Sequence, residues 1–199
     1  MKRTILPLLA LAATATGVYA SPGITLNPSA ASVQVGDAFT VDVVANYDAM
    51  TELGSMAELT SFGFMVDPSS MFTIGDYTGF TMNMDYDDFS MDPGEVVGIA
   101  GLDGGSTDTM VTLGTLSFTA TGLGTQSLEI FGDESDSSGT MGLYYTVYND
   151  IGDPLDDQYL SFDLSGSTSI SVVPEPATTA FMAGAAALAA LGFVRRRRA

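Results

Sequence analysis

Residues 39–46 read Phe-Thr-Val-Asp-Val-Val-Ala-Asn and follow the turn dipeptide Gly36-Asp37. Apolar and polar side chains alternate along this stretch, with Val44 as the exception. A period of two places the apolar residues on one face, which is typical of a half-buried β-strand. The stretch therefore predicts a strand that covers one side of a hydrophobic core.

Further stretches of this kind lie between turn residues rich in Gly, Asp, Pro and Ser. Clear strands are predicted at residues 61–67, 113–121, 127–131 and 167–173, and weaker ones at 142–148 and 159–164. The only candidate for a short helix is 49–59. Many short strands joined by glycine-rich turns predict an all-β fold, a sandwich or a barrel.

The two ends of the chain differ from the body. Residues 1–20 combine a basic start with an apolar run and end in Val-Tyr-Ala, which predicts a secretory signal peptide cleaved after Ala20. Near the other end, an apolar run at 177–194 would span roughly 27 Å as a helix, just short of a hydrocarbon core of about 30 Å. Arginines follow it and would stay on the cytoplasmic side. We therefore expect one domain at 21–173 between two targeting segments.

Charge is divided sharply between these parts. All six basic residues lie in the end segments, whereas 23 of the 24 acidic residues lie in the body and only Glu175 lies beyond it. The chain also has no His, Cys or Trp. Nucleic-acid binding, phosphate clamps, His or Cys zinc sites, disulfides and catalysis of the Ser-His-Asp or Cys-His type are therefore excluded for the body. Its stability has to come from packing and backbone hydrogen bonds, against repulsion between like charges.

The C-terminal segment carries a specific motif. Residues 173–177 read Val-Pro-Glu-Pro-Ala, and the apolar run and four arginines follow in that order. This arrangement resembles the PEP-CTERM sorting signal of Gram-negative bacteria. The resemblance implies that 174–199 is a transmembrane sorting segment, that an exosortase cuts near it, and that the protein then reaches the cell surface or the medium. A plain membrane anchor is the alternative. The sorting residues would be Pro174, Glu175, Pro176, Arg195, Arg196, Arg197 and Arg198.

The body carries a second resemblance. Residues 33–43 read Val-Gln-Val-Gly-Asp-Ala-Phe-Thr-Val-Asp-Val, 62–69 read Phe-Gly-Phe-Met-Val-Asp-Pro-Ser, and 114–120 read Gly-Thr-Leu-Ser-Phe-Thr-Ala. The order of these segments is similar to that of cohesin-like domains. The resemblance implies a β-sandwich of jelly-roll type over 21–173 that acts as a binding or scaffolding module. It assigns no residue to a partner-binding face.

Acidic residues gather in three loops and suggest calcium, which prefers several oxygen ligands. No loop matches an EF-hand, and a solvated acidic loop is the alternative interpretation. The first two groups are Asp85, Asp87, Asp88 and Asp92, and Asp133, Glu134 and Asp136. The third, which we favour as a calcium site, is Asp150, Asp153, Asp156 and Asp157.

Aromatic and methionine side chains could form a recognition surface. Phe80, Met82, Met84 and Tyr86 share one side of an extended stretch, although a core-facing strand explains them better. Four tyrosines could stack on sugar rings or pack at strand rims: Tyr144, Tyr145, Tyr148 and Tyr159.

The sequence therefore predicts an exported, non-catalytic module that binds an extracellular polysaccharide or a surface protein. Two alternatives stay open. One is a small glycan hydrolase that uses a pair of carboxylates, and the other is a purely structural acidic matrix protein.

Overall fold

The computed structural model describes residues 22–46, 57–66, 73–92, 94–101, 105–135, 140–147, 158–175, 180–182, 184, 185 and 188. Within them the chain forms twelve strands and a little helical backbone, the latter from residue 180 onward. The strands are β1 (Gly23–Pro28), β2 (Ser32–Gln34), β3 (Ala38–Asn46), β4 (Ala57–Val66), β5 (Gly75–Met82), β6 (Tyr86–Asp88), β7 (Glu95–Ala100), β8 (Met110–Ala120), β9 (Gly124–Gly132), β10 (Gly142–Val147), β11 (Gln158–Phe162) and β12 (Leu164–Val173).

The described strands form two sheets that pack face to face. The smaller sheet has the order β1-β3-β8-β5, and the larger has the order β11-β10-β4-β9-β12-β2, with β7 added to β4 and β6 added to β7. Within the described strands, pairing is antiparallel except between β12 and β2. Side chains from both sheets fill one core, and the ring of Phe64 on β4 meets that of Phe80 on β5 edge-on at 5.6 Å. The prediction of an all-β sandwich is confirmed.

The strand at 39–46 behaves as its alternation predicts. Phe39, Val41, Val43 and Ala45 are buried in the core. Val44 is also buried, but on the outer face, where Thr25 and Thr112 lie on either side of it. Opposite it, β8 carries an extra residue at Leu113, and the bulge passes through Gly114 with φ of 157°. A Cβ at Gly114 would collide with the Phe80 ring, so the bulge requires glycine.

Other parts of the sequence gave weaker indications. Alternation does not predict β1, β2 or β7. In β7, Val96, Val97 and Gly98 are all buried, so its pattern is a continuous apolar run rather than an alternating one. The helix expected at 49–59 is wrong for residues 57–59, which begin β4 and pair with β10. Residues 49–56 lie outside the described part of the chain.

The targeting segments are described only in part. Pro174 and Glu175 leave β12 as exposed, irregular backbone. The predicted cleavage residue Ala20, the tail residue Pro176 and the arginines 195–198 lie outside the described residues. In the portion that the structure describes, no helix combines the length and apolar character needed to cross a membrane.

Candidate binding surface

The outer face of β9 carries an acidic, an aromatic and a second acidic side chain in a row. Leu128 and Ile130 point into the core and are almost fully buried, which fixes the register of the strand. Because successive side chains of a strand alternate between faces, Glu129 and Phe131 point outward. Asp133 follows at the end of the strand and is also exposed. The Cα atoms of the two acidic residues are expected roughly 13 Å apart, at about 3.3 Å per strand residue.

Phe131 is also the centre of a row that crosses the sheet. Its neighbour on β12 is Ser165 and its neighbour on β4 is Met65, which in turn lies opposite Glu95 on β7. Glu129 lies opposite Ser167 on β12 in the same way. Directly opposed residues have Cβ atoms about 4.5–5.5 Å apart. The ring of Phe131, which is 52% exposed, is therefore bordered by hydroxyl, thioether and carboxylate groups.

Two grooves adjoin this ring. The larger, of about 480 Å³, is lined by Ile24, Ile130 and Gly166 together with the polar residues Glu129, Ser165 and Ser167 and the ring of Phe131. It reaches the edge of β12, which pairs with β2 only at Ser171–Val173 among the described residues. At that edge a Cβ on Gly166 would approach Ile24 of the other sheet. Glycine at this position therefore lets Ile24 of β1 pack closely against the backbone of β12.

The smaller groove lies on the other side of β9. It has a volume of about 240 Å³ and is lined by Met65, Met141, Gly132, Asp133 and again Phe131. Phe131 lines both grooves, so one groove lies on each side of its ring.

The charged side chains of this surface, Glu129 and Asp133, are both acidic. Asp133 accepts hydrogen bonds from the backbone and hydroxyl of Ser135, at 2.8 and 2.6 Å, and these bonds hold the pKa of its carboxyl below the ordinary value. Asp163 accepts a bond from the backbone of Glu134 at 3.1 Å, which ties this turn to the start of β12. With no Lys, Arg or His in the body, the surface can accept hydrogen bonds and stack on a ring, but it cannot neutralise an anion.

The predicted calcium sites have different outcomes. Among the described residues, no three carboxylates lie close enough together to hold a metal ion. Asp85, Asp87, Asp88 and Asp92 are exposed and do not converge. In the second group Asp133 and Glu134 are likewise exposed, whereas Asp136 is not described. The favoured group, Asp150, Asp153, Asp156 and Asp157, lies wholly outside the described residues, so calcium there stays a prediction.

Most of the aromatic and methionine candidates that the structure describes belong to the core. Phe80 and Met82 pack against it and Tyr86 is buried, as the core-facing interpretation predicts. Met84 is 94% exposed because β5 ends at Met82 and a turn follows. Tyr145 is buried, and its ring meets Phe162 edge-on at 6.0 Å.

The other tyrosine candidates are described only in part. Tyr144 is half-buried and donates its hydroxyl proton to the Met141 carbonyl at 2.6 Å. The side chain of Tyr159 and the whole of Tyr148 lie outside the described part.

Sequence reasoning missed the ring that centres this surface. Residues 127–131 were predicted as a strand, but Phe131 was not singled out. In the alternating pattern Phe131 shares a strand face with Ser127 and Glu129, which are polar. An aromatic residue on a polar, solvent-facing side of a strand is unusual, and this feature could have identified Phe131 from the sequence.

Three further exposed apolar residues lie before and after β6 in the chain. Met84, Phe89 and Met91 are 94%, 50% and 88% exposed. Asp88 lies among them and accepts two bonds from Ser90, which lower the pKa of its carboxyl. Neither of the two grooves around Phe131 is lined by these residues.

Known proteins provide a comparison of fold. No family model and no curated sequence matches the chain. Several solved structures of cohesins are similar to it in fold. A non-cellulosomal cohesin from Archaeoglobus fulgidus is 14% identical, with a TM-score of 0.43 over 81% of this chain and 98% of its own.

Two bacterial cohesins show similar values. A cohesin module of a family 33 glycoside hydrolase from Clostridium perfringens is 16% identical, with a TM-score of 0.47 over 78% of this chain and 98% of its own. A type I cohesin–dockerin complex from Clostridium thermocellum is 10% identical, with a TM-score of 0.44 over 77% of this chain and 100% of its own.

Proposed function

We propose that the chain is an exported surface or matrix protein whose β-sandwich is a non-catalytic binding or scaffold module. Its export begins with the signal peptide at 1–20. The segment 174–199 then holds it in the inner membrane until an exosortase cuts near Pro-Glu-Pro and releases it toward the cell surface. Its partner is an extracellular polysaccharide or a surface protein, and the cohesin-like motif order supports this module type.

The sorting part of this proposal has support at the end of β12. The strand finishes at Val173, and Pro174 and Glu175 continue as exposed backbone, where a protease has access. Beyond them Phe181, Met182 and Leu188 are 75%, 65% and 72% exposed. Large apolar side chains exposed to water lower the solubility of a protein, and a bilayer would bury them.

One observation carries the binding part: two grooves of about 480 and 240 Å³ share the exposed ring of Phe131 on a rigid sheet. Ligand sites are commonly concave, with an apolar element and a few polar groups that fix orientation. The strand backbone holds Glu129, Phe131 and Ser165 in fixed relation, so binding needs little rearrangement. The proposed site is therefore a preformed recognition surface.

A pull-down tests the binding function. The full-length chain is purified in a polyoxyethylene detergent, which carries no sugar headgroup, and is immobilised as bait for a surface extract of the source cells. Captured protein and captured polysaccharide are analysed separately, with calcium and with chelator. We expect one class to be enriched on the native chain relative to the Phe131→Ala variant. An equal or empty capture on both would contradict the proposed site.

A second experiment tests the sorting function. The variant with Pro174, Glu175 and Pro176 all changed to Ala is expressed in the source cells, and the mass and location of the chain are followed. We expect the native chain to lose its C-terminal segment and leave the membrane, and the variant to stay membrane-bound at full length. Identical processing of both chains would exclude this motif as the sorting element.

A further inference from the structure

We propose that the surface around Phe131 binds a neutral polysaccharide strand, which stacks one sugar ring on Phe131 and lies along both adjoining grooves. This inference rests on the proposed binding function and names its ligand class. The residues that carry it are Glu129 and Asp133 along β9, Ser165 and Ser167 on β12, and Met65 on β4.

The shape of the surface fits an extended ligand. The grooves lie on both sides of one ring, so a chain that crosses Phe131 would have a groove to occupy on each side of it. The half-exposed ring offers an apolar face of the size of a sugar ring. Met65, directly opposite Phe131 on β4, extends this apolar face on one side.

The polar groups fit sugar hydroxyls. Glu129 and Asp133 flank the ring at two positions on either side along β9, and ionised carboxylates accept hydrogen bonds only. Ser165 and Ser167 lie opposite Phe131 and Glu129 and can both donate and accept. A polymer that presents many hydroxyl groups next to apolar ring faces satisfies both kinds of group at once.

The charge of this surface excludes anionic polymers. An acidic polysaccharide or a nucleic acid would bring anions against Glu129 and Asp133, and no basic side chain in the body could neutralise them. The bonds from Ser135 favour the ionised form of Asp133, so this repulsion persists at neutral pH. The ligand is therefore not an anionic polymer, and a neutral polysaccharide meets this condition.

A protein partner fits this surface less well. Protein interfaces are depleted of charge at their cores and place several large apolar residues there. Here the apolar centre consists of Phe131 and the half-buried Met65, with carboxylates on two sides. The surface is too polar near its centre for such a core, so polysaccharide is the favoured occupant.

The test is equilibrium binding by calorimetry with the full-length chain in polyoxyethylene detergent. The probes are a soluble β-glucan, a galactomannan, the neutral polysaccharide fraction of the source cells, and alginate as an anionic counterpart. We expect binding to at least one neutral probe, with and without chelator, and none to alginate. Phe131→Ala should weaken it about tenfold or more, the equivalent of one favourable aromatic contact.

The chain offers a closely matched control. Phe89 is 50% exposed against 52% for Phe131, and it lines neither groove. Phe89→Ala should therefore bind the neutral probe as the native chain does. Glu129→Gln provides a second variant that keeps the strand's shape, and it should weaken binding because the carboxylate acceptor is lost. Thermal unfolding of each variant shows whether the sandwich is intact.

Several outcomes would overturn the inference. They are no binding to any neutral probe, tighter binding to alginate, or equal losses in the Phe131 and Phe89 variants. Capture of a surface protein that is insensitive to Phe131→Ala would leave a binding function in place but refute this ligand and site. An empty pull-down would refute the binding function itself, so the two failures are distinguishable.

Discussion

Replacing Tyr86 with Phe should weaken the attachment of β6 to the core. The Tyr86 side chain is 4% exposed and donates its hydroxyl proton to the Leu59 carbonyl at 3.1 Å, and its ring meets Phe62 edge-on at 5.1 Å. Phenylalanine keeps the ring contact but leaves a buried carbonyl without this donor. Such a loss costs about 1–2 kcal/mol, which for a domain of this size lowers Tm by roughly 2–8 °C.

The same hydroxyl makes a prediction about pH. Burial raises the pKa of Tyr86 well above the ordinary 10.0, and the charges of Asp85 and Glu58 raise it further, although a bond from the Ser106 backbone works the other way. Above pH 10 the unfolded chain therefore loses this proton while the folded chain keeps it. A group with a raised folded pKa loses its stabilising contribution as pH rises, at up to about 1.4 kcal/mol per pH unit.

Urea unfolding of both chains, followed by circular dichroism at pH 7, 9, 10 and 11, tests this argument. The native chain should exceed Tyr86→Phe by about 1–2 kcal/mol at pH 7 and 9, and the gap should close by about 1.4 kcal/mol at pH 11. Tyr77, whose pKa is also raised by burial and by Asp88, is present in both chains and so does not affect the difference. A gap that is constant across this range would refute the raised pKa of the Tyr86 hydroxyl, and the absence of a gap at pH 7 would refute the hydrogen bond.

Three further predictions concern stability. Phe64→Ala removes a fully buried ring that contacts the opposite sheet and should cost about 3–5 kcal/mol in urea unfolding. Gly63→Ala should also destabilise the fold, because its Cβ would collide with the Thr140 backbone, whereas Gly23→Ala, which has open space around it, should be close to neutral in the same assay. Added sodium chloride should raise Tm, because the body carries only like charges and salt screens their repulsion; a Tm that falls with salt would contradict this account.

The sequence predicted those strands whose two faces meet different surroundings. Alternation found β3, β8, β9 and β12, because each has the core on one side and water on the other. It missed β7, which is buried on both faces at Val96 and Val97. Alternation cannot identify such a strand because its side chains are apolar on both faces.

The candidate surface could not be predicted from the sequence as readily as the strands. It depends on register: Ser165 lies opposite Phe131, and Met65 joins them only because the end of β4 pairs with β9. These three residues are separated by many positions in the chain, and no local pattern connects them. The acidic clusters were visible in the sequence, but the described carboxylates of the first two are exposed and do not converge, and Asp87 and Asp88 lie in β6 rather than in a loop.

The distribution of charge connects the sorting proposal to the ligand proposal. Before processing, the chain carries basic residues at both ends, where they are useful for orientation in the membrane. Removal of 1–20 and of 174–199 would leave a body without a single basic residue and with 23 acidic ones. Such a body would be repelled by any acidic lipid or acidic polymer at the surface to which the sorting proposal takes it. If it is retained there, the attraction has to come from hydrogen bonding and ring stacking, and the grooves around Phe131 provide both.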